Sequence, residues 1–245
     1  MTYAILASII MALISFLGVT VFQFKVFRNN LKYFLAIASG ALLANAFVHI
    51  LPEAVESKGL TIPLSLTFLG AVSFNFVIDS YLRYKECCEV DSNQKKHLGV
   101  MNLIGDGLCN LTDGIAIAAS FIASPATGVA TTIAIIMHEI PQEITDFATM
   151  LHAGFSQKSA TIWNFIVSLT ALVGVVLGTF AISQVPELKD YLLVFAAGSL
   201  TYLSLSNLIP EIHESHKHGF SWKILGFYFC GLTLVTLVKF LEPGH

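Results

Sequence analysis

Apolar residues run along this chain in stretches of membrane length, broken by short polar segments. Eight stretches can be drawn, at roughly 3–24, 33–55, 61–82, 98–122, 127–152, 159–182, 190–212 and 222–241. Each approaches the ~20 residues that cross ~30 Å of hydrocarbon as an α-helix. The pattern predicts an all-α polytopic membrane protein with eight transmembrane helices and no soluble domain. Glycine, serine, asparagine and proline interrupt several stretches, which is tolerated where helices pack on one another instead of facing lipid. The first stretch has no basic segment before it and more spans after it, so it reads as a membrane helix and not as a cleaved signal. Residues 1–245 form one transmembrane domain: helices 1–3 at 1–82, a polar loop at 83–97, helices 4–5 at 98–152 and helices 6–8 at 159–241.

Charge orients these spans. Of 13 lysines and arginines, ten (Lys25, Arg28, Lys32, Arg83, Lys85, Lys95, Lys96, Lys158, Lys217 and Lys223) lie on one side, and Lys58, Lys189 and Lys239 on the other. The positive-inside rule puts the odd-numbered loops in the cytoplasm and both termini outside. Composition agrees: 55% of residues are hydrophobic and 12% charged, against ~25% charged in a soluble domain. The net charge of -3 gives no reason to expect a nucleic-acid partner. Four scattered cysteines make no disulfide framework. The loop 83–97 carries Cys87, Cys88 and His97, spaced as in an ordinary solvated linker.

Against this background two polar clusters stand out at membrane depth. CNLTDG in span four carries Cys109, Asn110 and Asp113, with Asp106 one turn earlier. HEIPQEITDF in span five carries His138, Glu139, Gln142, Glu143 and Asp146. Cys109 and Asp113 share one helical face, as do His138 and Gln142, and Glu139 and Glu143, each pair at i,i+4. Ionisable groups are costly in hydrocarbon and mark a pathway or a binding site. Thiolate, imidazole and carboxylate together suit a borderline-to-soft divalent cation. Asn110 alone also fits an amide that glues helices together. Pro141 lies among the ligands, removes a backbone N–H and is expected to bend the helix. HExxQ lacks the second histidine of the HExxH metalloprotease motif, and no enzyme activity is expected.

Two further segments echo each other. Span two ends in NAFVHILPEA and span seven in LSNLIPEIHE. His49 and Glu53 are four apart, as are Asn207 and Glu211, and a Pro-Glu pair closes each segment. Under the charge-derived topology the two face opposite sides, as in an inverted repeat. They read either as metal relays at the two mouths (His49 and Glu53 for entrance) or as structural helix ends built on Pro52 and Pro210. His213, His216 and His218 cluster beyond span seven. With Asn207, Glu211 and His152 at the end of span five, they make up an exit set.

These motifs resemble the ZIP (Zrt/Irt-like) family of divalent-metal transporters, in its branch with fifth helix HExPxExxDF. HEIPQEITDF follows that pattern from His138 to Phe147, and CNLTDG follows the fourth-helix HNxxDG at Asn110, Asp113 and Gly114. HILPEA at 49–54 and NLIPE at 207–211 are similar to its second- and seventh-helix signatures. The resemblance implies eight helices in a 3+2+3 inverted-repeat arrangement, a homodimer, and elevator-like motion of helices one, four, five and six. It implies carriage of zinc, and also of cadmium, iron or manganese, toward the cytoplasm, with the metal as substrate and no cofactor.

Residue by residue, the family's primary metal position falls on Cys109, Asp113, His138, Glu139 and Gln142. Asn110 and Asp113 border the position where some relatives hold a second metal, and Asp106, Glu143 and Asp146 are the pathway or second-metal candidates. No bridging residue from helix six is evident near Asn164–Thr170. Cys109 and Gln142 stand where the family often has histidine. A thiolate favours soft ions, while a neutral amide weakens the set. Proton competition for Cys109 and His138 makes binding pH-dependent. A membrane metal sensor that binds without translocating is the rival reading, and the lack of a soluble relay domain argues against it. Compact loops fit a bacterial inner (plasma) membrane, with an endomembrane as the alternative.

Overall fold

The computed structural model describes residues 2–21, 25–56, 59–87, 94–214 and 221–240, and among them every regular element is helical. The helices are α1 (Thr2–Val21), α2 (Lys25–Ala44), α3 (Leu51–Val55), α4 (Ile62–Cys87), α5 (Gln94–Ala123), α6 (Pro125–His152), α7 (Gln157–Ser168), α8 (Thr170–Gln184), α9 (Leu188–Tyr202), α10 (Ile209–Glu214) and α11 (Trp222–Phe240). A π-helical segment, Asn45–Ile50, joins α2 to α3, and another, Leu203–Leu208, joins α9 to α10. Only Leu169 separates α7 from α8. Among the described residues the helices therefore line up as eight rods, in register with the eight apolar stretches.

Five rods are long and apolar enough to cross a membrane by that measure alone: Lys32–Val55, Ile62–Tyr81, Gln157–Gln184, Leu188–Leu208 and Trp222–Lys239. In α1 the described apolar stretch is the shorter Thr2–Ile14. The rods α5 and α6 fall short because they carry the polar clusters, including Asp106, Asn110, Asp113, His138, Glu139 and Glu143, all of which are buried. The polar linker is also shorter than its composition suggested. Helix α4 extends to Cys87 and α5 begins at Gln94, since lysine and glutamine are good helix formers and a preformed helix propagates at little cost. Residues 88–93 lie outside the described set.

Helix ends follow local chemistry. Ser124 caps α6 by accepting from the Thr127 N–H at 3.0 Å, with Pro125 in the first helical position. The same helix ends in a Schellman turn: Gly154 takes φ 89°, its N–H reaches Leu151 O, and the Phe155 N–H reaches Met150 O at 3.0 Å. Helix α6 runs unbroken through Pro141. The wide turns sit instead just before Pro52 and Pro210. Each proline lacks an N–H and crowds the carbonyl four residues back, and widening the turn that contains that carbonyl accommodates it.

Packing relies on small residues, which let helix backbones approach where lipid gives no hydrophobic drive. Helix α2 crosses α11 at Gly40 and Gly231. A Cβ on Gly40 would strike the carbonyl of Tyr228, and one on Gly231 the carbonyl of Ile37. Helix α5 meets α8 in the same manner, Gly114 against the Ala171 carbonyl and Gly174 against the Leu111 carbonyl. Helix α4 packs on α9, and α1 on α6. The core between them is rich in alanine (Ala36, Ala41, Ala118, Ala130, Ala197).

Buried polar groups cross-link the rods. Ser39 and Ser204 hydroxyls meet at 2.8 Å, and His49 Nε2 lies 2.8 Å from the carbonyl of Val235. Asn45 donates to Thr131 Oγ1 at 3.2 Å, and Thr131 donates onward to Ser120 Oγ at 3.0 Å, tying the first π segment to α5 and α6. Gly114→Val is expected to cost about 1–3 kcal/mol by overpacking α5 on α8, read as a lower thermal unfolding midpoint in detergent. Thr131→Val, which leaves the Asn45 amide short of a partner, is expected to cost about 1 kcal/mol in the same assay.

Candidate metal centre

The two polar clusters meet where α5 packs against α6. Spacing of four residues puts Cys109 and Asp113 on one face of α5, and adjacent residues His138 and Glu139 project from α6 toward them. One donor atom from each of these four residues lies within 4.8 Å of every other. His138 Nε2 is 3.2 Å from Asp113 Oδ2 and 3.4 Å from Glu139 Oε1. His138 is fully buried, and Glu139 and Asp113 nearly so.

The chemistry of this group asks for a cation. Both ring nitrogens of His138, both carboxylate oxygens of Glu139 and Oδ2 of Asp113 are buried without a well-formed hydrogen bond. Buried polar atoms are normally satisfied, and a cluster of orphans needs a ligand to account for it. Sulfur, nitrogen and two carboxylates at this spacing are a borderline-metal set. The residues present therefore fit a divalent ion such as zinc or a softer relative.

A second group adjoins the first. Donor atoms of Asp106, Glu139 and Glu143 also lie within 4.8 Å of one another, so Glu139 belongs to both groups. Amides hold this region in place. Asn110 Nδ2 donates to Asp106 Oδ1 at 2.8 Å, and Gln142 Nε2 donates to the same oxygen at 3.3 Å. Cys109 Sγ lies 3.8 Å from Gln142 Oε1, so Gln142 spans the two groups. Asp146 is buried but belongs to neither group.

The expected relay residues sit elsewhere. His49 is buried against α11 through its Val235 contact, and Glu53 is half-buried in the first turn of α3. Asn207 is half-buried at the end of the second π segment, and His213 is exposed at the end of α10. The side chains of His152 and Glu211, and residues His216 and His218 altogether, lie outside the described set. Helix α7 comes closer than its sequence suggested: Asn164 is buried, and its Nδ2 donates to the backbone carbonyl of Glu143 at 3.4 Å. Nothing in the spacing of α7 singled out Asn164, because the contact depends on how α7 lies against α6.

The family model described as ZIP zinc transporter matches residues 85–239, which include both clusters. This chain belongs to the ZIP family. Among relatives, zinc transporter ZIP13 of Pongo abelii is 32% identical over 223 residues, covering 85% of this chain and 66% of the relative. The zinc transporter foi of Drosophila melanogaster is 37% identical over 144 residues, covering 58% of this chain and 20% of the relative. ZIP13 of Mus musculus is 29% identical over 270 residues, covering 91% of this chain and 74% of the relative. The chain thus spans about two thirds of one relative and one fifth of another.

Two outcomes check this ZIP centre. Adding Cd²⁺ to the purified protein with Cys87, Cys88 and Cys230 replaced by serine is expected to produce an ultraviolet thiolate-to-metal charge-transfer band that a further Cys109→Ser abolishes. Asn110→Leu, which frees Asp106 from its amide, is expected to weaken zinc binding about 10–100-fold by titration calorimetry.

Proposed function

We propose that this ZIP protein carries a divalent cation, foremost Zn²⁺, across a membrane toward the cytoplasm by alternating access. The observation that carries the reading is the buried Cys109–Asp113–His138–Glu139 group with its orphaned donor atoms, set between two helices at membrane depth. The relatives, zinc transporters in each case, support zinc as the substrate. The charge bias of the loops supports inward-facing odd loops and both termini outside, and a bacterial inner membrane is the setting we propose.

An eight-span 3+2+3 inverted repeat is supported by two features. Each π-helical segment ends immediately before a Leu/Ile-Pro-Glu triplet, at 51–53 in the second rod and 209–211 in the seventh. Helix pairing also exchanges consistently. Rod two packs on rod eight (α2 on α11) as rod seven packs on rod three (α9 on α4), and rod one packs on rod five (α1 on α6) as rod six packs on rod four (α8 on α5). A two-fold relation between rods 1–3 and 6–8, with rods four and five swapped, reproduces those pairings. Elevator motion of rods one, four, five and six, and assembly as a homodimer, follow from the family resemblance.

In this reading the buried anions offset the cost of bringing a divalent ion into low dielectric. Glu139, common to both groups, lets an ion pass from the Cys109–His138 set to the carboxylates of Asp106 and Glu143 without full release. The amides of Asn110 and Gln142 keep Asp106 aimed while that happens. Transport needs reversible binding, and when Glu139 turns to the second group the first keeps three ligands, the open count of an exchangeable site.

The test is zinc uptake into proteoliposomes with an internal fluorescent reporter. His138→Ala is expected to cut the initial rate at least about tenfold, with Cys109→Ala shifting the ranking of zinc, cadmium, iron and manganese. Folded protein that binds zinc and moves none of these ions would overturn the carrier reading in favour of a sensor.

A further inference from the structure

Side-chain hydrogen bonds between rods sort this bundle into two sets. Ser39–Ser204 joins rods two and seven, Asn75–Ser199 rods three and seven, and His49 with the Val235 carbonyl rods two and eight. Gln142–Asp106 joins rods four and five, Asn164 with the Glu143 carbonyl rods five and six, and Thr170 with the Gly107 carbonyl rods four and six. Close backbone approaches divide the same way: Gly40 and Gly231 lie within the first set, Gly114 and Gly174 within the second. Where the sets face each other between α5 and α9, a largely apolar crevice of about 160 Å³ remains, with Asp113 and Ala116 on one wall and Phe195 and Ala196 on the other.

A buried polar contact crosses that boundary. Asn45 in rod two donates through Nδ2 to Thr131 Oγ1 in rod five at 3.2 Å. The Thr131 hydroxyl lies 3.3 Å from Asn45 Oδ1 and 3.0 Å from Ser120 Oγ in rod four, and it donates to one of them at a time. All three residues are fully buried. Thr131 precedes His138 by seven residues and Ser120 follows Asp113 by seven. Each therefore shares a face with its ligand, about 10 Å along the helix. The contact sits over the metal centre, on the side of the Ser124 turn that joins α5 to α6. Asn45 also opens the π-helical segment of rod two, and single wide turns of this kind recur at functional sites.

We infer that the Asn45–Thr131 bond is a latch, which holds the two sets of rods closed over the buried centre and breaks before an ion exchanges there. The inference deepens the carrier reading and rests on it for the latch's place in transport. His138 and Glu139 have almost no exposed surface, so an ion enters or leaves their donor atoms only when the protein opens. Bonds inside one set survive a separation of the sets, whereas a bond across the boundary is lost. Removing one neutral buried hydrogen bond from the closed form shifts a two-state equilibrium about fivefold toward the open one. While the open form is the minor one, ion capture at low concentration rises by the same factor. Ser120 holds Thr131 from within its own set, so changing Ser120 leaves the latch made.

Opening is read with Ser120→Cys as a buried reporter, in protein whose Cys87, Cys88, Cys109 and Cys230 are replaced by serine. The measured quantity is its rate of reaction with N-ethylmaleimide in detergent. Thr131→Val keeps the side-chain shape and removes the hydroxyl, and is expected to speed the reaction about fivefold. Thr131→Ser keeps the hydroxyl and removes a methyl, and Ser39→Ala breaks a buried bond inside one set; both are expected to leave the rate unchanged. In proteoliposomes of the chain with its native cysteines, Thr131→Val is expected to raise initial zinc uptake below saturation about fivefold, and Ser39→Ala to leave it unchanged. A Thr131→Val reporter no faster than its parent overturns the latch. Equal acceleration by Thr131→Ser or Ser39→Ala does so too, as does faster labelling without faster uptake. If Thr131→Val yields no cooperative thermal transition, Asn45→Leu takes its place under the same criteria. Absence of uptake in wild type defeats the carrier reading itself, and the latch is then judged by the labelling rates alone.

Discussion

The cost of burying charge at membrane depth governs this structure. Asp106, Asp113, Glu139 and Glu143 are carboxylates in the interior of a bundle whose apolar core is mostly alanine, leucine and isoleucine. Such groups persist only where a cation, a proton or a dense set of hydrogen bonds compensates them. Amides from Asn110 and Gln142 answer part of that demand at Asp106. At Glu139 and Asp113 buried carboxylate oxygens remain without a well-formed hydrogen bond, which a bound cation would answer.

Holding such a centre requires α5 and α6 to be fixed in depth and rotation. The glycine contacts of α5 with α8 seat one side of the pair, and the packing of α1 on α6 seats the other. The Asn45–Thr131–Ser120 bonds reach from the first π segment to both helices. Small-residue contacts of this kind are dry and tight, yet individually weak against sliding, whereas a few buried hydrogen bonds fix register.

Much of the architecture was legible before any coordinates. The eight apolar stretches coincide with the eight rods of the described residues, five of which are long and apolar enough to cross a membrane, because a backbone in hydrocarbon must satisfy its own hydrogen bonds. The i,i+4 spacings of Cys109 with Asp113 and of Glu139 with Glu143 placed ligands on common faces, since helical periodicity is local. The same locality explains the misreadings. Pro52 and Pro210 sit behind widened turns that no spacing announced. The apparent loop at 83–97 is partly helix, because polar composition does not distinguish a solvated helix end from coil.

The amino-acid sequence by itself determined the helical class, the number of rods and the set of candidate ligands, all of which follow from hydropathy and periodicity within single segments. Only the tertiary structure decided that Glu139 is shared between two donor groups, that Asn164 reaches the Glu143 carbonyl, that His49 is committed to α11, and that Asp113 faces a crevice against α9. Each of these depends on the rotation and depth of one helix against another. Those quantities are set by side-chain packing between segments far apart in the chain, and no spacing within a segment encodes them.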